Sequence, residues 1–421
     1  MAKGFVSKGI TGMNNVQDES DLSTPKVVLN ANIGIDGSAK KRPGQTLVVD
    51  LPGAHSLYFH EPSTTTLCMA RGVLYELTGP ALTPSVLLDT EQPDAPLHFV
   101  PVSGRLYISN QHWCGVFNIK TREMEPWGTP VPDAPVLLPG TGNLPNGRYS
   151  VVITMPGPEG RISGNSRVSF IEIQHDDDSD ENGGIILPTI PDNATVWISD
   201  PNSVSPVFYR AGEIDHVTEL PDNPEPLYTL WGSPPLPMTC ITWAFGMMWG
   251  FRGNKLYHSE PYQPELFKLS ECTFDFDSPG GMIAETPGGL FVGTKDATYF
   301  FAGRTPEEMI QRDVAPGVVP GTLCYASELG DLGRKVPIWI GRKAGTMEGG
   351  VFAGTADGQV INLLKERISI TPDQAHGASI FRVKDGKTQM LFSFKYGGGS
   401  LTDMAMGDDA SCEVIRKGTV V

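Results

Sequence analysis

One short pattern recurs along the chain and limits its possible folds more than any other feature. A glycine is followed within four residues by an aliphatic residue and an aromatic residue, which open a strand-like stretch. The pattern starts at Gly72, Gly104, Gly253, Gly288 and Gly349, with a related strand at Ile380-Phe381. Adjacent copies are about 30 to 34 residues apart. Units of this size must stack to bury both faces, so we expect an all-β protein built on a β-propeller of six or seven blades.

Glycine and proline usage supports the all-β class. The 48 Gly and 36 Pro residues are scattered between apolar segments, which is typical of many short strands joined by turns. The spacing between Leu290 and Val351 is about twice the usual value, so we expect a hidden unit near Gly321 to Gly330. The best helical segment, residues 305–312, is expected to form one or two turns only.

The repeat is interrupted between Leu106 and Leu256 by about 90 additional residues with their own strand pattern. Residues 144–173 predict one hairpin, residues 194–214 predict a second, and an acidic loop joins them. The sequence therefore predicts a small β-sandwich at residues 137–226, inserted at a surface loop and resembling a fibronectin type III domain. The propeller would comprise residues 26–136 and 227–421, after an N-terminal arm of residues 1–25.

The charge balance argues against a nucleic-acid-binding protein. The net charge is −16 and the pI is near 4.9, whereas phosphate binding requires many cations on one face. An acidic wall, however, would let DNA slide past without sticking. The six cysteines form no C-x-x-C, and the start of the chain has no apolar secretory segment, so we expect reduced, buried thiols. The most apolar run, residues 243–251, is too short to span a membrane.

We find no catalytic or metal-binding motif, and we expect no cofactor. The acidic loop with Asp176, Asp177, Asp178, Asp180 and Glu181 lacks the spacing of a calcium loop and reads as a solvated loop. Asp275 and Asp277 alternate with Phe274 and Phe276, which places the carboxylates on the solvent face of a strand.

Three further features received a structural interpretation. "TADGQV" at Thr355 resembles the start of a sialidase Asp-box but predicts a β-turn. His55 and His60 are too isolated for a metal site. His258 is the most suggestive histidine, and a local hydrogen-bonded turn explains it best.

Five stretches of the sequence together resemble one protein family. The opening "KGITGMNNVQDESDL", "NIGIDGSAKKRPG", "GNKLYHSEPYQPELF", "GGLFVGTKDATYFFAG" and "GVFAGTADGQVINL" are similar to propeller proteins of tailed-bacteriophage virions, and most closely to the tail stabilisation, nozzle or hub proteins of short-tailed phages. The resemblance implies a hexameric ring below the portal and adaptor proteins of the phage neck. Such a ring extends the DNA channel, retains the genome DNA without specific binding, and anchors tail fibres or tailspikes. It also implies a virion protein assembled in the host bacterial cytoplasm, with no catalytic residues and no membrane insertion.

Other hypotheses about the function remain open. The nearest is a tail-tip or baseplate component of a long-tailed phage. A glycan-binding or glycan-acting propeller would use Trp243, Trp249 and Trp339 as sugar platforms, although tryptophan in blade strands is more often core. A peptide-reading adaptor propeller has no Trp-Asp repeat behind it.

The N-terminal stretch "NANIGIDGSAKKRPG" completes the sequence predictions. Ile35-Asp36-Gly37-Ser38 predicts a two-residue hairpin turn, and the hairpin is expected to supply the first strands of the propeller, where the chain ends share one blade. Lys40, Lys41 and Arg42 follow it. In so acidic a chain they are expected to form a basic assembly interface for an acidic neighbouring subunit.

Overall fold

The structure is a computed structural model that describes residues 31–33, 39–41, 47–174, 182–222, 225–270, 272–342, 349–363, 376–384 and 387–395. Within these ranges the secondary structure consists of β-strands and three single-turn 3-10 segments, Glu61–Ser63, Pro158–Gly160 and Gly330–Leu332. The predicted all-β class is confirmed. None of the described segments forms a helix that could span a bilayer. The predicted arm, residues 1–25, lies outside the described residues.

The first two strands form the predicted N-terminal hairpin. They are β1 (Ala31–Ile33) and β2 (Ala39–Lys41), antiparallel, with Ile33 opposite Ala39. The hairpin is therefore confirmed, while the predicted turn at Asp36-Gly37 lies outside the described residues.

Two four-stranded antiparallel sheets follow. The first contains β3 (Ala54–His60), β4 (Thr65–Ala70), β5 (Val73–Thr78) and β6 (Thr83–Asp89), and the second contains β7 (His98–Val102), β8 (Arg105–Ser109), β9 (Cys114–Asn118) and β10 (Glu123–Glu125). In both, the strands lie side by side in chain order, which is the pattern of a propeller blade.

The inserted sandwich comes next. Its strands are β11 (Leu138–Gly140), β12 (Gly147–Thr154), β13 (Ser169–Ile173), β14 (Gly184–Ile186), β15 (Thr195–Ser199), β16 (Phe208–Gly212) and β17 (His216–Val217). They form a three-stranded sheet in the order β11-β14-β17 and a four-stranded sheet in the order β13-β12-β15-β16. All seven lie within the predicted limits of residues 137–226, and buried aliphatic side chains from both sheets fill the space between them.

The sandwich has a tyrosine corner, but the order of its strands is unusual. The hydroxyl of buried Tyr149 donates to the carbonyl oxygen of Pro145 at 2.7 Å. In immunoglobulin-like sandwiches such a tyrosine opens strand F, late in the domain. Here it lies near the start of β12, the second strand. The sandwich therefore shares this device with fibronectin-like domains while connecting its strands in another order.

Three more sheets and a hairpin complete the described chain. The third sheet contains β18 (Thr239–Ala244), β19 (Met247–Arg252), β20 (Lys255–Glu260) and β21 (Gln263–Phe267), with β22 (Phe274–Asp275) paired to β20. The fourth contains β23 (Gly280–Thr286), β24 (Gly289–Thr294), β25 (Ala297–Ala302) and β26 (Ile310–Pro316), and the fifth contains β27 (Cys324–Glu328), β28 (Arg334–Gly341), β29 (Gly350–Gly354) and β30 (Val360–Asn362). The hairpin consists of β31 (His376–Lys384) and β32 (Lys387–Lys395).

Successive blade sheets pack face to face. One buried apolar cluster joins the first sheet to the second, and others join the second to the third, the third to the fourth, the fourth to the fifth and the fifth to the hairpin. First strands touch each other, as in β7 with β18, β18 with β23 and β27 with β31. His376 at the start of β31 also lies close enough to half-buried His98 of β7 to help lower the pKa of His98. The fold is a β-propeller with an inserted small β-sandwich.

One sequence prediction about the blades, the unit hidden between Leu290 and Val351, is wrong. The repeated glycine pattern falls on the second strand in β8 and β24 but on the third in β5, β20 and β29. The long gap from Leu290 to Val351 therefore crosses one blade boundary, and Cys324–Glu328 opens the sheet that contains Val351, so no unit is hidden there. Residues 305–308 form one hydrogen-bonded turn before β26 and no helix.

Candidate interaction surfaces

The predicted assembly residues are only partly described. Lys40 and Lys41 lie on β2, opposite Asn32 and Ala31 of β1. Arg42 lies outside the described residues. Their proposed role as an assembly interface stays a prediction.

The carboxylates singled out in the sequence lie on the surface. Asp275 and Asp277 are exposed, while Phe276 is buried and Phe274 half-buried, which confirms the predicted alternation. Asp275 accepts a hydrogen bond from Asn254 at 2.8 Å and forms an ion pair with Lys255 at 3.6 Å. The acidic loop from Asp176 to Glu181 lies outside the described residues.

The histidines make local contacts. His258 lies within β20, where its Nδ1 is 2.8 Å from the carbonyl oxygen of Ser259 and its ring packs on Trp249. His55 hydrogen-bonds to Asp94 at 2.9 Å, and His60 to Ser63 at 2.7 Å. No group of three or more His, Cys, Asp or Glu side chains suited to a metal ion occurs among the residues that the structure describes.

The Asp-box-like segment is a β-turn, as predicted. The amide of Gly358 donates to the carbonyl oxygen of Thr355 at 3.2 Å. The Thr355 hydroxyl donates to Asp357 and accepts from the amide of Gln359. The hydrogen bond from the Thr355 hydroxyl is the main cause that lowers the pKa of Asp357.

The cysteines in the described part of the chain are free thiols. Cys68 and Cys240 are buried, and Cys114, Cys272 and Cys324 are half-buried. Burial raises the pKa of Cys68 and Cys114 to about 11 and that of Cys240 to about 12. Thiols with such pKa values are poor nucleophiles at neutral pH.

The predicted tryptophan platforms lie in or against blade cores. Trp249 and Trp339 are fully buried, and Trp243 is half-buried against an apolar cluster. The most exposed of the seven tryptophans is Trp231, at 56%. It lies in the connection that leads from the sandwich back to the propeller, where sequence reasoning placed no candidate residue.

The contact between sandwich and propeller is the principal interface that the structure adds. Arg161, in the loop between β12 and β13, bonds to both carboxylate oxygens of Glu265 on β21 at 2.5 and 2.6 Å. The guanidinium also hydrogen-bonds to Tyr107 on β8. Burial opposes the charge of Arg161, but the hydrogen bond and ion pair with Glu265 outweigh burial and raise the pKa of Arg161. Both bonds come from one nitrogen, Nη1 of Arg161, and charge-assisted hydrogen bonds of this kind are stronger than neutral ones.

Neutral contacts continue the same interface. The backbone of Gly164 lies against the carbonyl group of Gly232, so closely that a Cβ at 164 would collide with it. The hydroxyl of Thr229 donates to the carbonyl oxygen of Ser163 at 2.8 Å. The side-chain oxygen of buried Asn165 accepts a hydrogen bond from the amide of Trp231 at 2.6 Å. We call these contacts, together with the Arg161–Glu265 pair, the junction.

The junction is mostly shielded from solvent, as a rigid joint requires. Gly164, Asn165 and Thr229 are buried, and the Arg161 and Glu265 side chains are only 27% and 15% exposed. Sequence signals for it were slight. The stretch "GRISGNS" is rich in small residues suited to close backbone approach, but nothing in it identifies Glu265, 104 residues away, as the partner.

No protein-family model and no curated protein matches the chain. Solved structures with similar folds include regucalcin, a calcium-binding protein of Agrobacterium tumefaciens (TM-score 0.34, 10% identity, 79% of this chain and 78% of that chain). A chain of the mitotic checkpoint complex (0.34, 10%, 85% and 98%) and the AfRom2 CNH domain (0.28, 9%, 76% and 84%) are also similar. None of the three is described as a phage protein.

Proposed function

We propose that this chain is a structural subunit of a bacteriophage tail, a nozzle or hub protein. Copies would form a ring, hexameric in the family that the sequence resembles, below the portal and adaptor. The ring would extend the DNA channel and anchor tail fibres or tailspikes.

The observation that carries the proposal is the junction. A module that holds a fibre or a neighbouring subunit must keep a fixed angle to its scaffold. The mostly buried Arg161–Glu265 ion pair, together with the close backbone packing at Gly164, supports such a fixed angle. A flexible tether would leave the sandwich free to reorient.

The charge distribution supports a channel formed between subunits. The first strands of the blades, β3, β7, β18, β23, β27 and β31, contain only two acidic residues, Glu285 and Glu328. The propeller's own centre is therefore not an acidic conduit. Because the chain carries a net charge of −16, its acidic surface lies mostly elsewhere, where several copies arranged in a ring would present it to DNA.

Electron microscopy and light scattering test the proposal. We expect the full chain, alone or with the adaptor protein of its virion, to form closed rings many times the 45.5 kDa chain mass. A chain that stays monomeric with the adaptor present would contradict the proposal. Deletion of residues 1–25 should weaken assembly while leaving the far-UV circular dichroism spectrum unchanged. Rings that bind a tail-tube protein instead of the adaptor would favour the tail-tip or baseplate alternative.

A glycan-binding propeller is the second candidate, and exposed Trp231 and Tyr228 favour it. Both side chains are 56% exposed, and exposed aromatic rings suit stacking on sugars. Binding on a glycan array that is abolished by Trp231→Ala, in a chain that forms no rings, would support this alternative.

A further inference from the structure

Four exposed apolar residues lie on the sandwich and on the connection that follows it. They are Val204, Val207, Tyr228 and Trp231, which are 101%, 49%, 56% and 56% exposed. The amide of Leu227 donates to the carbonyl oxygen of Phe208 at 2.8 Å, which brings Tyr228 next to Val207 along the edge of β16. We call these four residues the edge patch.

Trp231 is held rigidly in the edge patch. Its φ angle is +63°, a conformation that bulky residues rarely adopt. Its amide is bound by Asn165, and Leu230 one residue earlier packs in the apolar cluster with Trp197. A large aromatic side chain on a fixed backbone loses little entropy on binding, which is the property of an interface anchor.

The sandwich, which contributes Val204 and Val207 to the edge patch, is strongly acidic. Residues 137–226 contain fourteen Asp and Glu residues against four Arg and no Lys, and so account for most of the net charge of −16. Two of the four arginines are already paired with glutamates, Arg161 with Glu265 and Arg210 with Glu213. Asp200 lies beside Val207, because Ser199 pairs with Phe208 one position earlier. In the described part of the sandwich, no ion pair joins Asp192, Asp200 or Asp215 to a cation.

The chain contains a segment of complementary charge at its other end. Its first 46 residues carry six Lys and Arg against four Asp and Glu. Lys40 and Lys41 lie on β2, which pairs with β1 and with no other strand in the described ranges. When one surface of a copy binds a different surface of the next, the contact is heterologous, and repetition of such a contact builds a ring when the rotation between copies closes.

We propose that the edge patch receives the basic strand β2 of a neighbouring copy. Tyr228 and Trp231 would supply the apolar contact, and the acidic sandwich, with Asp200 at the patch, would attract Lys40 and Lys41. This inference rests on the proposed ring, and it names the two surfaces that build that ring.

Charge reversal with rescue tests the pairing. Light scattering would measure the assembly constants of Trp231→Ser, of Lys40→Glu with Lys41→Glu, and of Asp200→Lys. We expect each to weaken assembly at least tenfold, and we expect Asp200→Lys to restore part of the loss when mixed with the lysine-reversed chain. Ile310→Ser and Asp331→Lys are matched controls, since Ile310 is 68% exposed and Asp331 is exposed on other blades.

The outcomes separate this inference from the ring itself. If the wild-type chain forms rings and all three variants form them equally well, the edge-patch pairing is overturned while the proposed function stands. A wild-type chain that forms no ring with its adaptor would instead contradict the proposed function. Loss of glycan binding in Trp231→Ser, with unchanged assembly, would assign the edge patch to a sugar and overturn the pairing.

Discussion

Gly164→Ala should loosen the sandwich from the propeller without unfolding either. An added Cβ would collide with the backbone of Gly232. A backbone group cannot swing away as a side-chain end can, so the two segments must separate. Separation breaks the neighbouring hydrogen bonds, from the amide of Trp231 to Asn165 and from the hydroxyl of Thr229 to Ser163.

The expected cost follows from those bonds. Two buried hydrogen bonds contribute about 0.5 to 1.5 kcal/mol each, so we expect a loss of about 1 to 3 kcal/mol on top of the steric strain. Equilibrium urea unfolding would measure it, and limited proteolysis would show earlier cleavage near the junction. The sandwich core between its two sheets is not touched, so the far-UV circular dichroism spectrum should be unchanged.

Gly160→Ala is the matched control from the same loop. Gly160 is exposed, and a Cβ there would meet no atom within 4 Å, so only its positive φ of +76° opposes the substitution, at about 1 kcal/mol. The reasoning is refuted if Gly164→Ala costs no more than Gly160→Ala and leaves the proteolysis pattern of the wild type intact.

Three further predictions concern other positions. In a double-mutant cycle, Arg161→Met and Glu265→Gln should show a coupling of about 1 to 2 kcal/mol in urea unfolding, because the pair is mostly buried, whereas additive effects would place the strength of the junction elsewhere. Trp249→Phe should destabilise the chain by about 1 kcal/mol more than Trp339→Phe, because the indole N–H of Trp249 donates to a backbone carbonyl at 3.2 Å, whereas the buried N–H of Trp339 has no acceptor among the described residues. Equal losses on thermal unfolding would refute this. Burial, reinforced by His376, lowers the pKa of His98 to about 4, so the unfolded chain binds more protons than the folded chain between pH 6.5 and 4. The free energy of unfolding should therefore fall by about 1 to 3 kcal/mol as the pH drops through that window, and it should fall less in His98→Gln. The same fall in both chains would contradict this.

Local patterns predicted the elements well, because strand alternation and turn residues are written in neighbouring positions. The Pro-Gly-Gly segment before Leu290 does separate two strands, β23 and β24, and Ala297 does begin a third. The insertion was recognisable because about 90 residues interrupted a regular spacing. The blade boundaries were less predictable, since the second and third strands of a blade are buried on both faces and carry the same glycine and aromatic pattern.

Long-range contacts could not be predicted from the sequence. The junction depends on Arg161 meeting Glu265, and neither residue stands in a motif. Trp231 lies in a proline-rich connection that reads as a linker, so neither its exposure nor its fixed backbone was visible beforehand. Trp339 and Trp249, by contrast, are buried, as the strand positions of tryptophan favour.

The symmetry of the assembled protein tests the central claim most directly. We would image the full-length chain with its adaptor by cryo-electron microscopy and average the particles without imposed symmetry. The proposed function predicts closed rings of six copies, with the sandwich of each subunit at one fixed angle to its propeller. Isolated single propellers under the same conditions, at concentrations where the adaptor itself is assembled, would contradict it.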